Sequence, residues 1–134
     1  MIRDGRQEDL VQIEAFDEFG GNRQQEISEC CLQVYILDNT PVGYISAISE
    51  SFLCGHPLIT FLCVHPQYRR QGIASALLSE VEKRYRDQLL FISTESSNTI
   101  MLSLIEKRKY TRSGSLSGLN DDGSDEVYFY KANK

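Results

Sequence analysis

The sequence predicts a single α/β domain, spanning residues 1–134, with a mixed, twisted central sheet of about six or seven strands and helices on both faces. Three observations lead to this fold class. Segments with the hydrophobic period of strands and of helices alternate along 134 residues, a length typical of one domain. Residues 57–64 form a nearly continuous apolar run, as in a central strand buried on both faces. Hairpin patterns near both termini add antiparallel strands, so the sheet is mixed.

The first half of the chain is predicted to contain a short strand, two helices and a hairpin. Leu10, Ile13 and Phe16 have the spacing of one apolar helix face, and Gly20-Gly21 ends that helix. A more polar helix follows. The turn at residues 38–41 separates two apolar segments that pair as antiparallel strands. The predicted ranges are 1–3 for the first strand, 6–19 and 22–29 for the helices, and 32–37 and 42–49 for the hairpin strands.

The second half is predicted to alternate strand, helix, strand and helix before a closing hairpin. An apolar stripe beginning at Ile73 marks the buried face of a long helix. Its other face pairs Glu80 with Arg84 and Glu82 with Arg86 at i, i+4, which is typical of a solvated surface. The predicted strands cover 57–64, 89–94, 111–116 and 126–131, and the predicted helices cover 73–87 and 98–108.

Composition limits the kinds of partner. The chain carries 14 Lys and Arg against 19 Asp and Glu, a net charge of −5, which argues against nucleic-acid binding through phosphates. No apolar run approaches the roughly 20 residues that cross a bilayer, and the N-terminus lacks the pattern of a signal peptide. We therefore expect a soluble, cytoplasmic protein with neither a nucleic-acid nor a membrane partner.

The four cysteines lack the spacing of a disulfide framework, so reduced thiols are expected. Two Cys-x-His pairs, Cys54 with His56 and Cys63 with His65, could supply four zinc ligands if both lay on the strands of one hairpin. A zinc-stapled interaction domain is one hypothesis on this basis. Structural zinc ligands usually stand farther apart in sequence, so we favour a buried Cys63, a His65 that flanks a turn, and no metal.

The segment Arg69-Arg70-Gln71-Gly72-Ile73-Ala74 lies between a buried strand and a helix start. The first four backbone N–H groups of a helix have no intrahelical partner, and the helix dipole favours negative charge there. Gly72 permits close approach, Ala74 keeps the next contact small, and Arg69 or Arg70 adds charge. The segment therefore predicts an anion site, with a diphosphate as the expected guest. It matches neither the dinucleotide fingerprint nor a Walker loop.

Residues 62–78 resemble the pyrophosphate-binding motif of the GNAT superfamily of acyl-coenzyme A dependent N-acyltransferases. The matching run is Leu-Cys-Val-His-Pro-Gln-Tyr-Arg-Arg-Gln-Gly-Ile-Ala-Ser-Ala-Leu-Leu. Residues 97–101 and 104–110 are similar to the family's later motif around the coenzyme arm. The resemblance covers most of the chain and implies a GNAT-like fold, splayed after residues 57–64, with the coenzyme in the splay. The N-terminal half, which supplies acceptor specificity in such proteins, agrees only in element order.

The resemblance implies a role for each matched position. Backbone groups of residues 62–64 would bind the pantetheine arm like an added strand, and one N–H there would polarise the thioester carbonyl. The N–H groups of residues 70–74 would hold the pyrophosphate, with Arg69 at the first motif position. Asn98 matches the Asn that contacts the coenzyme arm, and a helix N-cap explains it equally well. The implied cofactor-binding residues are Leu62, Cys63, Val64, Arg69, Arg70, Gln71, Gly72, Ile73, Ala74 and Asn98.

The catalytic acid and base stay open at this level. Where relatives often carry the Tyr that protonates the leaving thiolate, this chain has Ile105, which has no proton to donate. Water, Ser103 or another tyrosine could replace it, the thiolate could leave unaided because thiols have a pKa of about 8.5, or catalysis is weak or absent. The carboxylates nearest the expected cleft are Glu50, near the end of the third strand, and Glu95, just after the 89–94 strand. Each is a candidate base, and each could equally be a solvated residue at a strand end.

The last hairpin has two further features. Asp121, Asp122, Asp125 and Glu126 form an acidic loop that could attract a cationic amine, although we favour an ordinary solvated loop. The aromatic run at residues 128–130 fits strand core and edge better than an aromatic cage.

These observations predict an N-acetyltransferase that moves an acetyl group directly from acetyl-CoA, its cosubstrate, to a primary amine. The acceptor could be a small metabolite, an antibiotic amine, a polyamine, or the N-terminus or a lysine of a protein. The alternative is a non-catalytic acyl-CoA sensor or regulatory domain, which Ile105 and the missing obvious base suggest. A homodimer through an exposed final strand is also open.

Overall fold

A mixed sheet runs through the computed structural model, which describes residues 1–133. The strands are β1 Ile2–Asp4, β2 Leu32–Leu37, β3 Thr40–Ile48, β4 Leu58–Val64, β5 Gln88–Glu95, β6 Thr111–Leu116 and β7 Glu126–Asn133. The α-helices are α1 Leu10–Glu14, α2 Arg23–Ser28, α3 Ile73–Arg84 and α4 Thr99–Lys107, with short 3₁₀ turns at Gln7–Asp9 and Pro66–Tyr68. The seven strands of this described range have the order β1-β2-β3-β4-β5-β7-β6. The predicted mixed sheet of six or seven strands is therefore confirmed.

Helices cover both faces because neighbouring residues of each strand point in opposite directions. Ile45 of β3 and Leu62 of β4 pack with α3 and α4 in one core cluster. The residues beside them, Tyr44 and Cys63, pack with α1 and α2 in a second cluster. None of the helices described in residues 1–133 is long and apolar enough to cross a membrane.

The first helix is shorter than the predicted range of 6–19. A 3₁₀ turn precedes α1, which ends at Glu14. Beyond it, the Asp17 carboxylate accepts hydrogen bonds from the backbone N–H of Phe19 at 3.1 Å, from Arg23 Nε at 3.0 Å and from the Tyr44 hydroxyl at 2.6 Å. These side-chain bonds hold the segment between α1 and α2 in a loop and replace the helical bonds that the apolar spacing predicted.

The predicted solvated face of α3 is wrong at Glu82. Its carboxylate accepts from Arg108 Nη2 at 2.6 Å and from the Tyr110 hydroxyl at 2.7 Å, and it lies 3.6 Å from Lys131 Nζ. Burial alone raises the pKa of Glu82, but the hydrogen bonds from Arg108 and Tyr110 outweigh it and keep that pKa below its usual range. The chain after α4 and β7 folds over this face, so Glu82 ties three distant segments together.

The sheet opens between its two parallel strands. β4 and β5 are paired at Leu58 with Phe91 and at Ile59 with Ile92, and then they diverge. On its other side β4 stays paired with β3 as far as Val64. β7 lies antiparallel to β5 along that strand's full length. The predicted splay between the parallel strands is present, but it begins within β4, after Ile59, and not after residues 57–64 as predicted. It opens toward the carboxyl ends of both strands.

Candidate active site

Two adjoining cavities fill the splay. The first, here the loop cavity, has a volume of about 640 Å³ and lies between the turn from β4 to α3 and the helix α4. The second, here the sheet cavity, has a volume of about 390 Å³ and lies over β4, β5 and β7. Four residues line both cavities and mark their junction: Phe19, Leu62, Asn98 and Met101.

The turn from β4 to α3 is held by side-chain bonds to the backbone. His65 Nδ1 accepts from the N–H of Gln67 at 3.1 Å and caps the 3₁₀ turn. Arg69 Nε donates to the Val64 carbonyl at 3.0 Å, and its guanidinium also pairs with Glu18 of the α1–α2 loop. Arg69 therefore fastens the turn to the end of β4 while lining the loop cavity.

Gly72 begins α3 as its N-cap, with φ 79° and ψ 11°, the left-handed region that favours glycine. A Cβ built there meets no protein atom within 4 Å, so backbone conformation, not crowding inside the chain, accounts for the glycine. Arg70 also has a positive φ of 65°. Left-handed residues in a turn direct successive N–H groups toward one concave side, which is how backbone nests bind anions.

The loop cavity has a positive character. Its lining within the described residues includes three basic side chains, Arg69, Arg70 and Lys107, and one acidic side chain, Glu18. The first turn of α3 adds the positive end of the helix dipole, and N–H groups at a helix start lack intrahelical partners. The arrangement suits a ligand with several phosphate charges.

Helix α4 forms the opposite wall. Asn98 is its N-cap, and its Oδ1 accepts from the Met101 N–H at 3.2 Å. Both readings of Asn98 are thus compatible, because the same residue lines the loop cavity. Ser103 and Lys107 face that cavity as well. Ile105 has no exposed surface and packs in the core with α3, turned away from the cavity.

The sheet cavity combines aromatic walls with two carboxylates. Phe19 and Phe61 have ring centroids 5.9 Å apart, and Phe52 and Tyr128 stand edge to face at 6.4 Å. The carboxylates also line the cavity and belong to residues that face each other across the β5–β7 pair, Glu95 and Glu126.

The predicted site residues are distributed over the loop cavity, the sheet cavity and the surface outside both. Nine of the ten predicted cofactor-binding residues line the loop cavity, namely Leu62, Cys63, Val64, Arg69, Arg70, Gly72, Ile73, Ala74 and Asn98. The tenth, Gln71, is exposed and lines neither cavity. Glu95 lines the sheet cavity, whereas Glu50 is exposed after β3 and lines neither. The roles of these residues stay predictions.

The zinc hypothesis is wrong in its geometry. Cys54 and His56 precede β4, whereas Cys63 lies near the far end of this seven-residue strand and His65 follows it, so the two pairs lie at opposite ends of β4. Residues 1–133 contain no group of three or more His, Cys, Asp or Glu side chains placed to hold a metal. Cys63 is buried, as expected, and burial raises the pKa of its thiol.

Sequence reasoning missed several lining residues. Phe19 reaches both cavities from the α1–α2 loop, and Lys107 lines the loop cavity from α4. Tyr128, which we placed in strand core or edge, lines the sheet cavity, and burial raises its pKa. One signal was available: residues two apart on a strand share a face, which puts Tyr128 beside Glu126.

Comparisons with known proteins agree with this architecture. The sequence profile of the Acetyltransferase (GNAT) family matches residues 3–110. YafP of Escherichia coli strain K12, an uncharacterized N-acetyltransferase, is 32% identical over 104 residues, which make up 77% of this chain and 58% of YafP. The chain thus spans less than two thirds of that relative's length.

Solved structures share the fold over nearly the whole chain. A GNAT-family acetyltransferase from Bacillus cereus ATCC 10987 is 25% identical, with a TM-score of 0.77 and coverage of 98% of this chain and 95% of that one. A chain of the NatB acetyltransferase complex bound to CoA and MES is 27% identical, with a TM-score of 0.82 and coverage of 98% and 97%. With the family profile matching most of its length, the chain belongs to the GNAT family of acetyltransferases.

Proposed function

We propose that the protein is an N-acetyltransferase that transfers the acetyl group of acetyl-CoA directly to a primary amine. The observation that carries the proposal is the meeting of two chemically opposite cavities at one junction. The loop cavity is lined by a helix N-terminus and basic side chains, and the sheet cavity by carboxylates and aromatic rings. When bound, acetyl-CoA would supply an activated acetyl thioester.

The loop cavity fits a coenzyme with a charged end and an amide-rich arm. Arg70, Lys107 and the N-terminus of α3 would hold phosphates. The end of β4, paired on one side with β3 and facing the splay on the other, offers backbone groups of residues 62–64 for the amides of the pantetheine arm. One N–H there would stabilise negative charge on the thioester oxygen.

The base we propose is Glu95. Glu95 lies at the end of β5 where that strand has diverged from β4, and it lines the sheet cavity together with Leu62, which also lines the loop cavity. An amine attacks only in its neutral form, so its ammonium proton must go to a nearby acceptor. The Glu95 carboxylate would take that proton, directly or through a water, before the amine nitrogen bonds the carbonyl carbon.

The departing group needs less help. Breaking the carbon–sulfur bond releases coenzyme A as a thiolate, and a thiol with a pKa of about 8.5 leaves readily. Ile105 is buried and takes no part. Ser103 lies on the loop-cavity wall, and its hydroxyl would deliver a proton to the thiolate.

A second candidate function is an acyl-CoA-binding domain without turnover. Its support is the burial of Ile105 in the position where relatives often place the acidic tyrosine. Such a domain would use the loop cavity alone, and the carboxylates of the sheet cavity would have no catalytic role.

The test measures thiol release from acetyl-CoA with pooled primary amines and, in parallel, the thermal shift caused by acetyl-CoA. Turnover with any pool supports the enzyme. A thermal shift without turnover across all pools supports the binding domain. Absence of both a shift and turnover contradicts both candidates.

Other expectations from the sequence stay proposals of the same kind. We infer that residues 1–134 act as one domain in the cytoplasm. The expectation of an exposed final strand is wrong, because β7 lies inside the sheet between β5 and β6. A homodimer would instead use β6, the edge strand, whose six residues are all exposed. Light scattering of the purified protein tests the dimer, and a monomeric mass at high concentration contradicts it.

A further inference from the structure

The sheet cavity has an exposed apolar rim, and contact with water alone is unfavourable for such a surface. Phe52 is 72% exposed, Leu119 is 57% exposed and Phe19 is 37% exposed, and all three line this cavity. Phe61 and Tyr128 continue the apolar surface inward. Large exposed apolar side chains gathered around one concavity mark a binding surface, whereas scattered ones carry no such meaning. The occupant of this cavity therefore has an apolar body.

The same cavity has a concentrated negative charge. Glu95 and Glu126 stand directly opposite each other on β5 and β7, an arrangement that destabilises a sheet when nothing neutralises it. Glu126 Oε1 accepts from Asn120 Nδ2 at 3.2 Å, and Glu95 Oε2 lies 3.5 Å from Ser97 Oγ. Within residues 1–133 the cavity lining contains no Lys, Arg or His, and neither carboxylate is in an ion pair. A cation must therefore come from the ligand.

The position of the two carboxylates limits how many cations the ligand carries. Cross-strand neighbours have Cβ atoms about 5 Å apart, so both charges lie at one end of the cavity. The remainder of the described lining is uncharged and combines the apolar side chains of Phe52, Leu58 and Phe61 with neutral polar ones. A long diamine would bring its second cation to this part of the lining, which has no carboxylate to pair with it. An amino acid would bring a carboxylate next to two others, with no basic group in the described lining to receive it.

Size gives the last limit. A volume of about 390 Å³ is at the lower end of the range for small-ligand sites, roughly 300–1,000 Å³. One ring with a short chain fills such a space.

We propose that the acceptor is a compact primary monoamine with an apolar, ring-sized body and no carboxylate, as in the arylalkylamines. Glu126 selects for the cation, Glu95 takes its proton, and the aromatic walls hold the ring. This inference rests on the proposed acetyl transfer to an amine, and it narrows the acceptor class.

The experiment compares four probes in the thiol-release assay with acetyl-CoA. 2-Phenylethylamine has the ring and one cation, phenylalanine adds a carboxylate, putrescine has two cations and no ring, and a short peptide presents a protein N-terminus. We expect kcat/KM for 2-phenylethylamine to exceed that of each other probe by more than about tenfold. Equal or faster turnover of phenylalanine, putrescine or the peptide overturns the inference.

Matched variants locate the selectivity. Glu126→Gln keeps the shape and removes the charge, and we expect it to raise the KM for 2-phenylethylamine about tenfold while kcat changes little. Asp121→Asn removes the same charge from the same loop but lies outside both cavities, so its KM stays unchanged. Phe52→Ala should raise that KM about fivefold, whereas Leu116→Ala, at an exposed apolar site outside both cavities, should not. Equal effects of the site and control variants overturn the inference.

Equilibrium binding separates this inference from the proposed function. The binding of 2-phenylethylamine, measured by calorimetry with coenzyme A present, needs no chemistry. If the amine binds, Glu126→Gln weakens it, and no amine is acetylated, the sheet cavity is a monoamine-binding site but not an acceptor site, and the catalytic proposal fails. If other amines are acetylated but 2-phenylethylamine does not bind, the catalytic proposal stands and the inference fails.

Discussion

The loop cavity and the sheet cavity share a junction, yet the chain builds them in different ways. The loop cavity is formed largely by two continuous segments, from Leu62 through Ser75 and from Asn98 through Lys107. The sheet cavity collects side chains from the α1–α2 loop, the segment before β4, two neighbouring strands and the terminal hairpin. Residues close in sequence therefore build most of the first cavity, and residues far apart in sequence build the second. A site of the first kind shows in a local motif, and a site of the second kind does not.

The α1–α2 loop belongs to both cavities and is held firmly at its base. Arg23 is 6% exposed, pairs with Asp17 at 3.0 Å and with Glu26 at 2.6 Å, and stacks 4.0 Å from the centroid of the Phe61 ring. These contacts carry the adjoining Phe19 to the junction. Substitutions in this loop should therefore affect both cavities, whereas substitutions elsewhere should affect one cavity and leave the other unchanged.

The largest difference between the effects on the two cavities is expected from a substitution of Glu95. Glu95→Gln should lower kcat about 100-fold, because a positioned general base contributes roughly 10²–10⁴-fold, and should leave the affinity for acetyl-CoA unchanged. Glu50→Gln is the matched control, since Glu50 is exposed outside both cavities. Steady-state kinetics decide the matter, and a slow Glu50→Gln beside a normal Glu95→Gln would reverse the assignment.

In Gly72→Glu, the loop cavity should lose much of its affinity for acetyl-CoA while the sheet cavity still binds its ligand. A carboxylate at the start of α3 opposes the phosphates and should weaken acetyl-CoA binding about 30-fold, while binding of 2-phenylethylamine in the sheet cavity persists. Gly72→Ala separates charge from backbone strain, because it costs about 1 kcal/mol of stability at φ 79° but adds no charge. Calorimetric titration measures both ligands. Normal acetyl-CoA affinity in Gly72→Glu contradicts the assignment of the cavity.

Glu82→Gln should loosen the helices that form two walls of the loop cavity. The substitution removes the carboxylate charge that accepts hydrogen bonds from Arg108 and Tyr110. It should lower the free energy of unfolding by about 2 kcal/mol, measured in urea. Glu106→Gln, at an exposed position of α4, is the control, and its free energy of unfolding should stay within about 0.5 kcal/mol of the wild-type value.

The same carboxylate makes this stability depend on pH. The pKa of Glu82 is lower in the folded protein than in the unfolded chain, where it is about 4.3. Its contribution is therefore complete above about pH 4.3 and is lost as the pH falls through the folded value. The difference between the wild type and Glu82→Gln should shrink below pH 4.3, and a constant difference contradicts this account.

The smallest effect is expected at Glu18, which pairs with Arg69 on the rim of the loop cavity. Both side chains are about half exposed, so the pair adds little stability. Glu18→Gln should free Arg69 for the coenzyme phosphates and strengthen acetyl-CoA binding about two- to threefold at low salt. The free energy of unfolding of Glu18→Gln, measured in urea, should stay within about 0.5 kcal/mol of the wild-type value. Weaker binding of acetyl-CoA in this variant would show that Glu18 holds Arg69 in place.

Much of the fold was predictable from local pattern. The strand β4, the turn after it and α3 lie where the apolar run, the glycine and the helical stripe predicted them. The errors came from distant contacts. The Asp17 carboxylate ended the first helix early, and Arg108 and Tyr110 drew Glu82 out of solvent. Arg23, Arg108 and Tyr110 each lie more than one helical turn away in sequence from the carboxylate they bind.

The sequence by itself determined the family resemblance and the anion-binding segment, because a helix start, a glycine and small or basic neighbours are consecutive and act through their own backbone. Only the tertiary structure decided what faces the acceptor. β7 lies between β5 and β6 in the sheet, and this order sets Glu126 opposite Glu95 and Tyr128 over the sheet cavity. Strand order depends on long-range pairing, so no local spacing could reveal that Glu126 and Tyr128 share a cavity with Glu95.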